Sequence, residues 1–415
     1  MSTEGSEVWQ HALKSLDWLD DQTDAMVELV RHLCDINSGS THLAGLKRVA
    51  DVLVEEFAAL SESSERLDLE PWDGIDDAGQ HVKIPLGQSL RFRRGLGAQR
   101  KIWLGIHYDT VYGPEQSFQE CHWLDTGTLN GPGVADAKGG IVVLLFALRA
   151  LAQSGMTGLP GWEVYLNPDE EIGSPGAGQY FKRCASSFDF GMLFEPALPD
   201  GSIAYRRKGS GNFTVVVRGK SVHAGRDFYA GRNAVVRLSR LADQIDQMNG
   251  SVGESTLNVA RIVGGGPSNI VPELGVARLN IRVDHADNQF MIEQKLEELV
   301  AEVNGEDGFQ CELYGSITSP PKIPDRSIET MKSWVDILGE AVGEKVSWAD
   351  TGGVCDGNKL FAAGLPNLDT LGPRGGEIHS SREFLDVTSL VPRAKLAASL
   401  MIVHGLRPEG LLGSS

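Results

Sequence analysis

The chain has few cysteines and no sign of a use for them as pairs. There are five, Cys34, Cys121, Cys184, Cys311 and Cys355, an odd number with none at CxxC spacing. That excludes a disulfide framework and a thiolate zinc site. Basic charge is also short: 38 Lys and Arg stand against 56 Asp and Glu, a net charge of -18 with a pI near 5.0. Such a surface repels nucleic acid and anionic membrane, so neither is an expected partner. It still admits a small anionic substrate, because a metal centre or local cation can dominate the field inside a cleft. The longest apolar run, residues 141–148, is far too short to span a bilayer. The opening MSTEGSEVWQHALKSLDWLDDQTD has no basic start and apolar core, so no secretory signal is expected, and a cytoplasmic, reducing location follows.

What is present is an ordinary globular composition, 41% hydrophobic and 23% charged, over 415 residues. That length predicts at least two structural units. The first part alternates short apolar runs with amphipathic stretches, the grammar of an α/β protein with a mixed sheet flanked by helices. Helical periodicity covers 24–33 and 45–60, and short buried strands are predicted over 102–106, 162–166 and 190–194. Between the first two strands, Gly139-Gly140 leads into IVVLLFALRALAQ, an apolar helix suited to pack under the sheet.

From residue 207 the pattern changes. Strand 212–218, helix 230–248, strands 256–263 and 275–283, helix 288–303 and strand 309–314 follow in the order β-α-β-β-α-β. That is a ferredoxin-like split unit inserted into a larger body. The expected division is 1–206, an inserted 207–318, and 319–415, with a last core strand over 365–371 and a short Gly/Ser tail.

The chemistry-bearing residues sit where strands end. Strand 102–106 runs into His107-Tyr108-Asp109, and residues i and i+2 of an extended segment project to the same side. A carboxylate so placed can hold the far nitrogen of a ligating imidazole. Asp136 lies in Gly131-Pro132-Gly133-Val134-Ala135-Asp136-Ala137-Lys138-Gly139-Gly140 at the head of the apolar helix, where it also suits an N-cap. No phosphate-loop pattern is present. Strand 162–166 delivers Asp169-Glu170-Glu171, three acids that repel unless cations or solvent intervene. Strand 190–194 ends in Glu195, and His379 follows Gly375-Gly376. Each has an innocent reading as a cap or solvated loop. Together they are two imidazoles and three carboxylates at strand ends, which in α/β sheets converge on one crevice. Those are ligands for a borderline divalent ion.

With these motifs in this order the chain resembles the zinc-dependent exopeptidases and amidohydrolases that include bacterial glutamate carboxypeptidase, acetylornithine deacetylase and succinyl-diaminopimelate desuccinylase. The resemblance runs through HxD, GxxDxKGG, the Glu-Glu pair, the later glutamate, SxHAG and GGxxH. It implies a zinc-exopeptidase-like fold whose inserted unit serves as lid and dimerisation element. It implies two divalent ions, zinc foremost with cobalt or manganese as alternatives. His107, Asp136 and Glu195 would hold one ion, and a bridging Asp136 with Glu171 and His379 the other. Asp109 would orient His107, Glu170 would be the general base, and the Asp136–Ala137 bond would be cis. His223, in Ser221-Val222-His223-Ala224-Gly225, would reach across a homodimer interface to the oxyanion. Lys208, Asn269 and Arg282 match substrate-contacting positions, although Asn280 replaces the usual acid two residues before Arg282.

The implied reaction is hydrolysis of an amide bond in a carboxylate-bearing peptide or N-acyl amino acid, by a carboxypeptidase or a deacylase. Segment 316–321, Ser-Ile-Thr-Ser-Pro-Pro, lacks the arginine of the glutamate-specific members. Asp356 and Asn358, in a Gly-rich loop, are candidate readers of a polar substrate group, and Cys355 is expected to be a small buried residue. A dinuclear phosphoesterase would need a basic phosphate cradle that is absent, and an aminopeptidase fits the continuous insert less well. A non-catalytic binding protein would be expected to have lost a ligand or the base, and every matched position is intact.

Overall fold

A computed structural model describes residues 12–406, so residues 1–11 of the N-terminal segment read for a signal, and the Gly/Ser tail, lie outside the described residues. The central sheet has six strands: β1 (Ser63–Asp68), β2 (Gln88–Arg94), β3 (Lys101–His107), β4 (Gly161–Asn167), β5 (Phe190–Leu193) and β10 (Asn367–Leu368). β6 to β9 belong to a second sheet. The order in the first is β1-β2-β4-β3-β5-β10; β4, β3, β5 and β10 are parallel, β2 runs antiparallel to both of its neighbours, and the edge strand β1 therefore points the same way as the parallel set.

Both faces of this sheet are covered, which is why its middle strands read as continuous apolar runs. Ile102, Leu104, Ile106, Val164 and Leu166 pack one way, onto α1 (Thr23–Cys34), α2 (Leu43–Ala58), α3 (Gly140–Gln153) and α8 (Leu390–Leu406), all contributors to one core. The alternate residues Trp103 and Tyr165 face a smaller cluster with Phe181, Leu193 and Leu360. α3 is apolar nearly all round because it is enclosed by its neighbours.

The second sheet is built from β6 (Gly209–Arg218), β7 (Thr256–Gly264), β8 (Leu274–Val283) and β9 (Gln310–Ser319), in the order β7-β8-β6-β9, fully antiparallel. Helices α4 (Ala234–Asp246) and α5 (Ala286–Asn304) cover one face and share a separate core with it through Phe213, Val215, Val217, Leu238, Leu279 and Leu296. This is the ferredoxin-like arrangement expected from the pattern. On the other face, a hairpin of the large body (Trp72–Ile75 with His81–Ile84) reaches across. Asp77 at its turn pairs with Arg261 at 2.6 Å and Arg278 at 3.3 Å, and Arg218 donates to the Gly79 carbonyl.

Two predicted elements differ. The helix foreseen from residue 230 begins at Ala234: Phe228–Ala230 is a separate turn, and Asn233 caps the helix by accepting from Val236 N at 3.0 Å. The strand foreseen over 365–371 pairs only at Asn367 and Leu368. Thr370 has a left-handed backbone, φ 60, which ends the extended run, and Asp369 is committed to buried ion pairs with Arg207 and Lys322. The large body also carries a short helix over Gly178–Cys184, α6 (Arg326–Ala341) and α7 (Asp356–Ala362). Among the described residues no helix is long and apolar enough to cross a membrane.

Candidate metal centre

Three neighbouring parallel strands end at one crevice. β3 ends on His107, β4 leads into the turn Glu170–Ile172, and β5 is followed by Glu195. Asp136 comes from the segment ahead of α3, whose path depends on two glycines. Gly133 has φ 74, and a side chain on Gly140 would run into the Phe194 carbonyl at 1.9 Å. The Asp136–Ala137 bond is cis. His379 arrives from the far end of the sequence on a loop also in the left-handed region, φ 61.

The two oxygens of Asp136 face different imidazoles. Oδ1 lies 3.0 Å from His107 Nε2 and Oδ2 lies 3.2 Å from His379 Nε2. Each imidazole has a second carboxylate: Glu195 at 3.5 Å from His107 and Glu171 at 3.3 Å from His379. On its far side His107 Nδ1 is 3.3 Å from Asp109 Oδ1. All five residues foreseen as ligands, and Asp109, are therefore brought together.

Charge in this cluster is unbalanced. Burial pushes Glu171 up to about 7, with Asp136 adding to the rise against the pull of His379. Burial likewise raises Glu195, and raises Glu170 well above the carboxylate range. Asp136 goes the other way: burial would raise it, but His107 and His379 overcome that and hold it low. His379 is raised to about 10 by Asp136 and Glu171. In this chain the imidazoles stand where cations are wanted. Glu171 Oε1 is buried without a hydrogen-bond partner, and His107, Asp136 and Glu171 present ligand atoms within 4.8 Å of one another. An orphaned buried oxygen in an oxygen- and imidazole-rich cluster fits a divalent ion.

A second layer holds the first. Asp109 accepts from Ser40 Oγ at 2.6 Å and from the backbone N–H groups of Glu170 and Glu171, each at 3.2 Å. Glu383 accepts from the N–H groups of Gly133, Ala135 and Asp136 at 3.2, 2.9 and 3.0 Å and from the Tyr112 hydroxyl at 2.7 Å. Sequence reading missed Glu383, which stands alone between Arg382 and Phe384; its distance of four residues from His379 is the only cue.

The cluster opens into a cleft of about 380 Å³ lined also by Arg207, Asn212, Asn280, Arg282 and Lys359. Arg282 Nη1 is buried with no hydrogen-bond partner, while its Nε donates to Asn280 Oδ1 at 3.0 Å. Three foreseen residues do not line the cleft. Lys208 Nζ is engaged by the Glu254 carbonyl at 2.5 Å. His223 and Asn269 are exposed side by side on the small sheet unit, where Ala224 N donates to the Asn269 carbonyl at 2.8 Å. Asp356 and Asn358 do not read a ligand: Asp356 is 3% exposed and bonded to Asn167, Ser174 and Lys359, and Asn358 is spent on Lys208 O, Pro320 O and Cys355 N. Cys355 is buried, as expected, and all five cysteines are free.

Known proteins match this arrangement. A sequence profile of Peptidase family M20/M25/M40 matches residues 103–402. The chain belongs to that family. Carboxypeptidase G2 of a Pseudomonas species is 26% identical over 401 residues, 93% of this chain and 90% of that protein. Succinyl-diaminopimelate desuccinylase of Bordetella parapertussis is 26% identical over 321 residues, 73% of this chain and 83% of that protein. A Staphylococcus aureus tripeptidase shares the fold with a TM-score of 0.72 at 19% identity, over 92% of this chain and 98% of the other. An M20 family metallo-carboxypeptidase from Sulfolobus solfataricus does so with a TM-score of 0.70 at 15% identity, over 92% and 99%. This M20 member is accordingly a metal-dependent hydrolase with an α/β zinc-exopeptidase fold.

Proposed function

We propose that this chain is a two-metal amidohydrolase, with zinc as the natural ion, that cleaves an amide bond in a carboxylate-bearing substrate. The observation that carries the reading is the division of Asp136 between two imidazoles, each with its own second carboxylate. His107, Asp136 and Glu195 would hold one ion; Asp136, Glu171 and His379 would hold the other. Bound there, the ions would polarise the scissile carbonyl and favour ionisation of the attacking water.

The chain's own residues do the rest. Asp109 fixes the ring of His107. Glu170 lies in the same turn as Glu171, but no side chain among the described residues bonds its carboxylate. It takes the proton of the attacking water and returns it to the leaving nitrogen. Arg282, buried at Nη1 and unpaired there, receives the substrate carboxylate. Residues 207–318 act as a lid and dimerisation domain between the two segments of the catalytic domain, 1–206 and 319–415. In the homodimer His223 and Asn269 serve the partner's cleft, with His223 on the developing oxyanion. Five free cysteines support a cytoplasmic setting.

A carboxypeptidase and a deacylase of the acetylornithine deacetylase or succinyl-diaminopimelate desuccinylase type share these steps and differ in the acyl group. The lack of an arginine over 316–321 argues against strict selection for glutamate. The test is a panel of N-acyl amino acids and dipeptides against zinc- or cobalt-loaded protein, followed by amine release. Hydrolysis of members with a free α-carboxylate is expected. Activity confined to peptides with a free amine, or none at all, overturns the proposal.

A further inference from the structure

The turn that carries Glu170 and Glu171 is gripped from two sides, and only one grip belongs to the arrangement described above. On one side Asp109 accepts both backbone N–H groups. On the other the turn runs through Gly173 and Ser174, both left-handed at φ 92 and 51. Glycine suits that conformation; serine in it is strained and persists where its surroundings over-determine it. The surroundings here are Asp356, on α7. Its Oδ1 accepts the Ser174 hydroxyl and Lys359 Nζ, the latter at 2.8 Å. Its Oδ2 accepts Asn167 Nδ2 at 2.9 Å, at the residue where β4 ends. Lys359 Nζ also reaches Ser174 Oγ at 3.3 Å. Asp356, Ser174 and Lys359 are 3%, 2% and 7% exposed, and Lys359 lines the cleft beside Glu170.

We propose that Asp356, with Lys359 as its counter-ion, is a positioning residue: it locks the turn between Asn167 and Ser174 so that Glu170 and Glu171 face the metals. A buried ion pair is weak grounds for a stability role, since apolar replacements often serve as well. This pair instead ties the start and end of one short turn to a helix from the far end of the sequence. The inference rests on the roles assigned above to Glu170 and Glu171.

The test uses the full chain, with Co²⁺ alone as the probe of metal binding. Ser174→Ala and Asp356→Asn each lower Co²⁺ affinity by roughly 10–100-fold, the range for residues that hold metal ligands from behind. On a substrate the wild type cleaves, kcat falls by a similar factor while KM stays unchanged. Asp356→Asn leaves Lys359 uncompensated and lowers Tm; adding Lys359→Met restores Tm but not Co²⁺ affinity. Affinity and kcat that recover together with Tm identify a merely structural pair and overturn the proposal, as does wild-type Co²⁺ affinity in Ser174→Ala. Should Asp356→Asn not fold, Ser174→Ala decides alone. A wild type that hydrolyses nothing sinks the functional reading, while the cobalt titration still decides this one.

Discussion

The strand-end cluster and the His223 loop carry the same kind of residue in opposite conditions. In the cluster every proposed ligand except His379 is largely buried, and the side chains meet others within one chain: His107 has Asp109, Asp136 and Glu195, and the Asp136 loop is pinned by Glu383. His223 and Asn269 are exposed, and their recorded contacts are local, such as Gly225 N to His223 Nδ1 at 3.1 Å. The first region is complete within the described residues. The second has the ingredients of a site and no site. The difference teaches that a chemical residue is active only where its neighbours are chosen for it. The proposed homodimer would give this loop the surface it lacks.

That contrast can be broken most sharply at Glu170. Glu170→Gln is expected to keep the metals and lose about 100-fold or more in turnover, the scale of a positioned acid-base group; steady-state rates on protein of measured metal content decide it. Next is Glu383→Gln, where an amide N–H₂ replaces an oxygen that accepts from Gly133 N and Tyr112 Oη. Leaving a buried donor unmet costs about 1–3 kcal/mol, readable as a lower denaturant midpoint. Smallest in stability is His223→Ala, expected within about 0.5 kcal/mol of wild type because the residue is exposed. Its turnover should nevertheless fall, and mixing it with Glu170→Gln protein should restore activity through hybrid dimers. Failure of that mixture to recover would confine the active site to a single chain.

Much of the cluster was legible because two signals coincide in it. An apolar run that stops at His107, or at Asp169-Glu170-Glu171, marks a buried strand and puts a chemical group at its end. The inserted unit was legible from alternation and helical period alone. The holders were not. Glu383, Ser40 and Lys359 look like any polar residue in a loop or short helix, since what they bond is fixed by tertiary approach and leaves no period. The same blindness made Asp356 and Asn358 look like substrate readers when their hydrogen bonds are spent inside. Position in a motif marks Lys208 as a substrate contact, yet it sits at the break just ahead of β6 and its ammonium donates to the Glu254 carbonyl. At 365–371 hydrophobicity implied a strand that a left-handed Thr370 cuts short.

The most direct measurement is a calorimetric titration of metal-free protein with Zn²⁺, run on the wild type, Glu195→Ala, His379→Ala and Asp136→Ala. Two equivalents per chain are expected for the wild type, one tight equivalent for each of the two outer variants, and none tight for Asp136→Ala. Tight uptake undisturbed by Asp136→Ala, or no uptake by the wild type, would contradict the shared carboxylate on which the account stands.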